Sequence, residues 1–462
     1  MSWWTPFDRV VDPRAGIIRR VGRQSLPPEA PASLVTYGAE VADARQFAPV
    51  AVDLVAMGAS FDDAELARRA AIGEAVERYC GNIVPSVGLR QSSYDDLARS
   101  GEIAVDPQSL ALYSDAQYAT LGFPFLRFSR ELKVQWRAGV RLTDRCACWV
   151  PASLAYINYF AGRWANEPCT NFVIYSGVAA GESREQAELA GLLEVIERDA
   201  TTIWWHSGSP CEAIDPEDPI LTATLASPGN RGNLRYYVVR IPSRFPIPVL
   251  GVLCEDRERL LVALGTACRL EPGEAFKKAA AEAVHLWTFA LGLLEPDGHI
   301  WKAIAAGVFD ARSYKPYRAD RKYKDSFRAD YRDMVDLGCN AQFYLDPRTH
   351  YLVERLRAAP PRFRLGDLPS LAQPTVAAAR DEVVRLLAAE GFEPVSVDLT
   401  TPDVAEAGLS VVRIVVPGLV PNAPAAFPFL GSRRIREEPA RLGLLPGPVA
   451  EQDLVLAPLP HT

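Results

Sequence analysis

One short pattern constrains this chain more than any other. Glu-x-x-Glu-Arg occurs twice, as Glu74-Ala75-Val76-Glu77-Arg78 and as Glu194-Val195-Ile196-Glu197-Arg198. Each copy lies near the end of a stretch with helical spacing, and on a helix residues three and four apart are neighbours. Both copies therefore present two carboxylates and a guanidinium on one face, beside a face made apolar by the intervening residues. A single triplet of this kind is ordinarily a solvated salt-bridge surface. Two copies in matching settings, with a third acidic helix carrying Lys278 and Glu282 downstream, lower the weight of that reading. Four carboxylates gathered in one place repel one another unless divalent cations sit among them, which leaves the arginines to take an anion. Mg²⁺ and nucleotide phosphates meet both demands.

Composition mainly excludes. A net charge of -7 argues against generic nucleic-acid binding. Residues 313–333 alternate aromatic and basic side chains, but Asp320, Asp325, Asp330 and Asp333 dilute the charge, so this stretch reads as a solvated amphipathic segment. No N-terminal stretch has the order of a signal peptide. The best apolar run, residues 411–420, is interrupted by Arg413 and Pro417 and is too short to span a membrane. The eight cysteines are scattered, Cys146-Ala-Cys148 lacks a zinc spacing, and together they read as reduced core residues of a cytoplasmic protein.

The chain order predicts a mixed α/β fold. Residues 1–45, rich in proline and arginine, read as an irregular N-terminal arm with a short apolar element at 16–18. Residues 50–57 read as a buried strand ended by Gly58, with Ser60 capping a helix that Gly81 stops. Residues 85–165 form an insert with strands at 134–140 and 147–152. A small-residue turn, 176–181, feeds a helix whose start at Ser183 and Gln186 has the spacing of a capping box. Such a turn at a helix N-terminus suits an anion, and equally suits plain packing of a helix on a sheet. Strands at 248–254 and 260–264 precede a helix over 275–291. There Lys278 and Glu282 read either as a surface ion pair or as a third contribution to the metal-phosphate site. A helix at 377–390 and strands at 394–398 and 411–416 close the main body, and a proline-rich extended tail runs from 421 to 462.

These motifs resemble something known. Residues 67–79, the stretch 177–183 with 192–200, and Val411-Val412-Arg413-Ile414-Val415-Val416-Pro417-Gly418-Leu419 together resemble the YcaO family. More closely, the chain is similar to the cyclodehydratase component of streptolysin-type clusters that make thiazole- and oxazole-containing peptides. The resemblance implies a catalytic domain over 46–420 and a tail, 421–462, that reaches the active site through Pro458, Pro460 and Thr462. It implies ATP and Mg²⁺ as cofactors, with the metal held by Glu74, Glu194, Glu197 and Glu282. Nucleotide contacts would come from Glu77, Arg78, Gly181, Glu182, Gln186, Arg198 and Lys278. A Cys, Ser or Thr of a precursor peptide attacks the preceding carbonyl carbon, the oxyanion takes the γ-phosphoryl group, and phosphate leaves as the azoline forms. The implied partners are the precursor peptide, an E1-like leader-binding protein, an FMN-dependent dehydrogenase and a second copy of the chain as a homodimer.

The chain departs from that pattern in several places. Ala70 stands where the family usually has a serine, Gly58-Ala59-Ser60 replaces a Gly-Lys-Gly, and Glu182, Gln186 and Lys278 replace an asparagine, a glutamate and an arginine. Lysine keeps the charge of arginine but loses its bidentate phosphate geometry. Thr462 stands where a last proline is expected. Two other readings follow: an enzyme of the same ATP chemistry that makes a thioamide or amidine, and a non-catalytic scaffold with a decayed nucleotide site.

Overall fold

A computed structural model describes residues 5–43, 54–110 and 112–461 of the chain. The fold is mixed α/β and is built from three sheets, each of which carries one acidic helix. In the first sheet, Ile18–Gln24, Leu34–Val41 and Val55–Phe61 pair antiparallel in chain order. The N-terminal residues expected to be irregular thus supply two strands. Val55–Phe61 runs straight through Gly58, which therefore does not end a strand. A Cβ at Gly58 would lie 2.1 Å from the Ala71 nitrogen and 2.3 Å from the Ala67 oxygen. Glycine is used here for close approach of strand and helix, a role that looks the same as a turn in sequence. Residues 50–53 lie outside the described residues.

The first acidic helix, Ala64–Asn82, packs on this sheet. Its cap is Asp63, whose carboxylate accepts from the Leu66 nitrogen at 2.9 Å. Ser60 sits in the strand instead, and the helix passes through Gly81 to Asn82.

The second sheet has the order Leu89–Ser92, Val134–Arg141, Val395–Asp398, Ser410–Val415, Val178–Gly181, with Ala147–Pro151 paired to Val134–Arg141. Val178–Gly181, expected as a turn, is an antiparallel edge strand that feeds the second acidic helix, Arg184–Ser207. Ser183 Oγ accepts from the Gln186 nitrogen at 3.2 Å, while the Gln186 side chain accepts from the Glu182 nitrogen at 2.9 Å. Only half of the expected capping box forms. The third sheet is ordered Leu261–Cys268, Val249–Asp256, Leu234–Arg240, Glu212–Ile214, Pro361–Phe363. The third acidic helix, Pro272–Leu291, covers Leu261–Cys268. Here Gly265 allows the contact, since a Cβ would come 2.0 Å from the Ala279 oxygen.

The three helices interlock in a cycle. The first also packs on Val178–Gly181 of the second sheet, the second on Leu261–Cys268 of the third, and the third on Val55–Phe61 of the first. Their acidic faces consequently meet at one place between the sheets.

In the 313–333 segment Tyr323 and Phe327 are buried core residues, Arg321 donates to the carbonyls of Arg259, Leu260 and Leu345, and Asp320, Lys322, Lys324, Arg328, Asp330 and Arg332 are exposed, as in an amphipathic segment. One further expectation is revised: the tail is not simply extended, since Arg434–Arg441 is a helix, and Ala457 and His461 are buried. Among the described residues no helix is long and apolar enough to cross a membrane, and all eight cysteines are free.

Candidate active site

The meeting point of the three helices is a cavity of about 670 Å³, within the range of small-molecule sites. Glu74, Glu77, Arg78, Glu182, Gln186, Glu194, Glu197, Arg198, Lys278 and Glu282 all line it. Every acidic and basic residue singled out from the sequence is therefore brought together. Gly181, Pro458 and Pro460 are not among the lining residues, and Thr462 lies outside the described residues.

The carboxylates are placed by the sheets under them. Glu74 Oε2 accepts from the Met57 nitrogen at 3.0 Å, and Glu194 Oε2 accepts from the Gly177 nitrogen at 2.9 Å. In both cases the donor lies 17 residues upstream, so the two copies repeat a strand-to-helix unit and not merely a five-residue word. Each of these glutamates also meets the arginine four residues along its own helix: Arg78 stands 3.6 Å from Glu74, and Arg198 stands 3.8 Å from Glu194. Lys278 and Glu282 pair in the same way at 3.0 Å.

The second glutamate of each copy is set deeper. Glu77 accepts from the Ala180 nitrogen at 2.8 Å. Burial pushes its carboxyl up to about 8 against that hydrogen bond, with the charges of Glu194 and Glu74 adding to the effect. Glu197 is held from three sides: Thr266 Oγ1 donates at 2.7 Å, the Cys268 nitrogen at 3.1 Å, and Arg198 lies 3.1 Å away. Burial raises its pKa while Arg198 opposes that shift. Burial also acts to lower Arg198, yet Glu197, Glu194 and Glu282 outweigh it and leave the guanidinium firmly charged. Glu282 is held below the usual carboxylate range, since Lys278 and the hydrogen bond of His461 overcome its burial.

Two histidines complete the wall, and neither was found from the sequence. His285 lies one helical turn beyond Glu282 on the same helix, a spacing that could have revealed it. His461 comes from the tail that the resemblance brings to the site, although the resemblance points to Pro458, Pro460 and Thr462 and not to this residue. Its Nε2 sits 3.3 Å from Arg198 and 3.4 Å from Glu282. Burial lowers the pKa of both imidazoles, so both are neutral at pH 7.

The tail that delivers His461 is fastened along its length. The Val455 nitrogen donates to the His206 carbonyl at 2.8 Å, and Trp205 Nε1 donates to the Ala457 carbonyl at 2.7 Å. Tyr344 donates to the Pro458 carbonyl at 2.6 Å, and the Leu264 nitrogen to the Pro460 carbonyl at 2.7 Å. Asn340 Nδ2 reaches the His461 carbonyl at 2.8 Å. The prolines thus set the path of the tail beside the cavity, and the residue after the last of them enters it.

The donor set suits Mg²⁺ and a polyphosphate. Carboxylates from three helices line one cavity, and basic side chains stand between them. Among the described residues no three acidic, histidine or cysteine side chains converge on one ion-sized point. Glu74, Glu194 and Glu282 instead face the cations of their own helices. Burial is the main cause of the upward push on Glu77, and the charges of Glu194 and Glu74 add a part that a divalent cation relieves. Glu182, whose charge is awkward beside phosphates, stands 3.7 Å from Arg69.

Comparison with known proteins agrees with the geometry. The YcaO family, described as cyclodehydratases that bind ATP and Mg²⁺, matches residues 57–420. The chain is similar in fold to a heterocyclase solved in complex with substrate and cofactor, at 20% identity and a TM-score of 0.71 over 99% of this chain and 57% of that one. It also resembles the heterocyclase TruD, at 22% identity and a TM-score of 0.59 over 84% of this chain and 49% of that one. A third likeness is to YcaO from Methanopyrus kandleri bound with AMPPCP and Mg²⁺, at 18% identity and a TM-score of 0.56 over 87% of this chain and 86% of that one. The chain spans about half the length of the two heterocyclases. At these identities the three likenesses concern fold alone. ATP and Mg²⁺ are the cofactors of the matched family, as expected from the paired helices.

Proposed function

The chain belongs to the YcaO family, and from that premise we propose that it is the cyclodehydratase subunit of a streptolysin-type system, an ATP-dependent enzyme that closes azoline rings on a ribosomal precursor peptide. The observation that carries this reading is the convergence of Glu74, Glu77, Glu194, Glu197 and Glu282 with Arg78, Arg198 and Lys278 around one cavity. With Mg²⁺, ATP supplies the phosphoryl group that turns an amide oxygen, a poor leaving group, into a good one. Glu74, Glu194 and Glu282 would hold the metal, and Arg78, Arg198 and Lys278, which stand beside them, would meet the phosphates. Glu197 has few directions left to move, since its oxygens are engaged by Thr266, Cys268 and Arg198. It fixes the frame against which the other side chains are set. Neutral His461 is in place to accept or pass a proton beside Arg198. Preorganised charge of this kind is the main service that a protein gives to phosphoryl transfer.

The tail through Pro458, Pro460 and Thr462 orients the substrate, while Gly181, Glu182 and Gln186 border the nucleotide. An E1-like protein presents the leader, an FMN-dependent dehydrogenase oxidises the rings, and the chain works as a cytoplasmic homodimer. The test is mass spectrometry of a Cys-rich precursor after incubation with this chain, the E1-like partner, ATP and Mg²⁺. Loss of one water per ring, with matching release of phosphate, is the expected result. Phosphate release with no loss of water, under conditions that include the partner, would remove the azoline assignment. A gain of sulfur for oxygen with added sulfide would replace it by thioamide formation.

A further inference from the structure

A second groove, of about 730 Å³, opens between residues 107–129 and residues 430–451, lined by a different set of residues from the nucleotide cavity. Its floor is apolar, with Leu112, Phe128 and Leu430 buried there. The wall of residues 107–129 is already neutralised, since Arg127 pairs with Asp115 at 2.6 Å. The opposite wall is not. Arg433 directly precedes the helix Arg434–Arg441 and Arg436 lies in its first turn; neither forms an ion pair among the described residues, and together they outweigh Glu451, the one carboxylate lining this side, which accepts from Ser114. Arg436 Nε is shut off from solvent and has no acceptor. A buried donor left in this state is costly, and an incoming acceptor relieves it.

In a chain whose net charge is -7, this unmatched positive wall selects for acid. An isolated small anion would use the arginines and leave the apolar floor uncovered. An extended peptide that carries carboxylates beside an apolar side chain uses both. The wall is also tied to the catalytic helix. Arg434 pairs with Asp199 at 2.5 Å, Asp199 accepts from the Val420 nitrogen at 2.8 Å, and Asp199 directly follows Arg198.

We propose that this groove binds an acidic segment of the peptide substrate in extended form, its carboxylates on Arg433 and Arg436 and an apolar side chain on the floor. The proposal rests on the reading above that the substrate is a peptide, but it is independent of ATP. The experiment is fluorescence anisotropy of a labelled peptide of glutamates around one phenylalanine, measured with the full chain and no nucleotide. Arg433 is exposed, so Arg433→Glu tests the wall without touching a buried contact. Arg433→Glu with Arg436→Gln tests it more fully. Binding by the wild type, a loss of about tenfold or more in each variant, and no binding of the glutamine counterpart of the peptide are expected. Retained Mg²⁺-dependent ATP binding by both variants is the expected sign that their fold is intact. Equal binding of the glutamine peptide, unchanged affinity in both variants, or displacement by an equal concentration of inorganic phosphate would each overturn the proposal. Displacement by ATP would overturn it as well, by placing the peptide in the nucleotide cavity. Failure here with ATP turnover intact leaves the proposed function standing; absence of Mg²⁺-ATP binding and turnover removes that function instead.

Discussion

The two Glu-x-x-Glu-Arg helices are written almost identically and used differently. In both, the first glutamate takes a backbone N–H from 17 residues upstream and faces its own arginine. The copies then diverge. Arg78 is half-buried and lies over the Tyr175 ring at 5.0 Å. Arg198 is nearly enclosed and meets Glu194, Glu197, Thr266 and His461. Glu77 accepts from the Ala180 nitrogen, whereas Glu197 is gripped from three sides. The second helix is thus the fixed half of the site and the first the adjustable half. A repeated motif fixes which chemical groups are present, and the strand packed across it decides how tightly each is held.

The largest effect is expected where the fixed half is broken. Glu197→Ala leaves Arg198, the Thr266 hydroxyl and the Cys268 N–H without their buried acceptor, and a loss of about 3 kcal/mol or more in urea unfolding is expected. A loss below about 1 kcal/mol would erase the distinction between the halves.

Next in size is the contrast between the arginines. Arg198→Ala strands Glu197 and is expected to cost about 2–4 kcal/mol. Arg78→Ala removes a half-exposed side chain and is expected to cost less than about 1 kcal/mol. Equal costs in the same unfolding assay would mean that the two copies are equivalent after all.

Glu77 sharpens the comparison through pH. Its folded pKa, about 8, lies above the ordinary glutamate value of 4.5, so between those values the folded chain keeps a proton that the unfolded chain has released. This group therefore makes the metal-free protein less stable as pH rises from 5 to 8. Glu77→Gln is expected to flatten that decline when Tm is followed against pH with EDTA present. An unchanged slope would show that Glu77 is not the group concerned. A small effect is also expected at the tail, where Tyr344→Phe removes the bond to the Pro458 carbonyl and should cost about 1 kcal/mol by urea unfolding.

Much of this was legible in the sequence because helical spacing is short-range information. The positions of Glu74, Glu77, Arg78, Glu194, Glu197 and Arg198 on shared faces follow from residues three and four apart, and the mixed α/β class follows from strands and helices of ordinary length. What the sequence hid is long-range. Gly58 and Gly265 look like stops, yet each marks a strand pressed against a helix backbone, and only the three-dimensional contact tells the two uses apart. The strand Val178–Gly181 reads as a turn in sequence because its partner, Ser410–Val415, lies far along the chain. His461 had no local signal at all; its position depends on anchors at Trp205, Leu264, Asn340 and Tyr344.

The central claim is that the three acidic helices together make one Mg²⁺-dependent ATP site. Isothermal titration of ATP into the wild type, Glu74→Gln and Glu194→Gln, each with and without Mg²⁺, tests it most directly. These substitutions keep shape and fall on side chains that are only partly buried, so folding is preserved. The account predicts binding by the wild type only with Mg²⁺, and loss of that Mg²⁺ dependence in both variants. Tight binding without Mg²⁺, or undiminished Mg²⁺-dependent binding when both glutamates are replaced together, would contradict it.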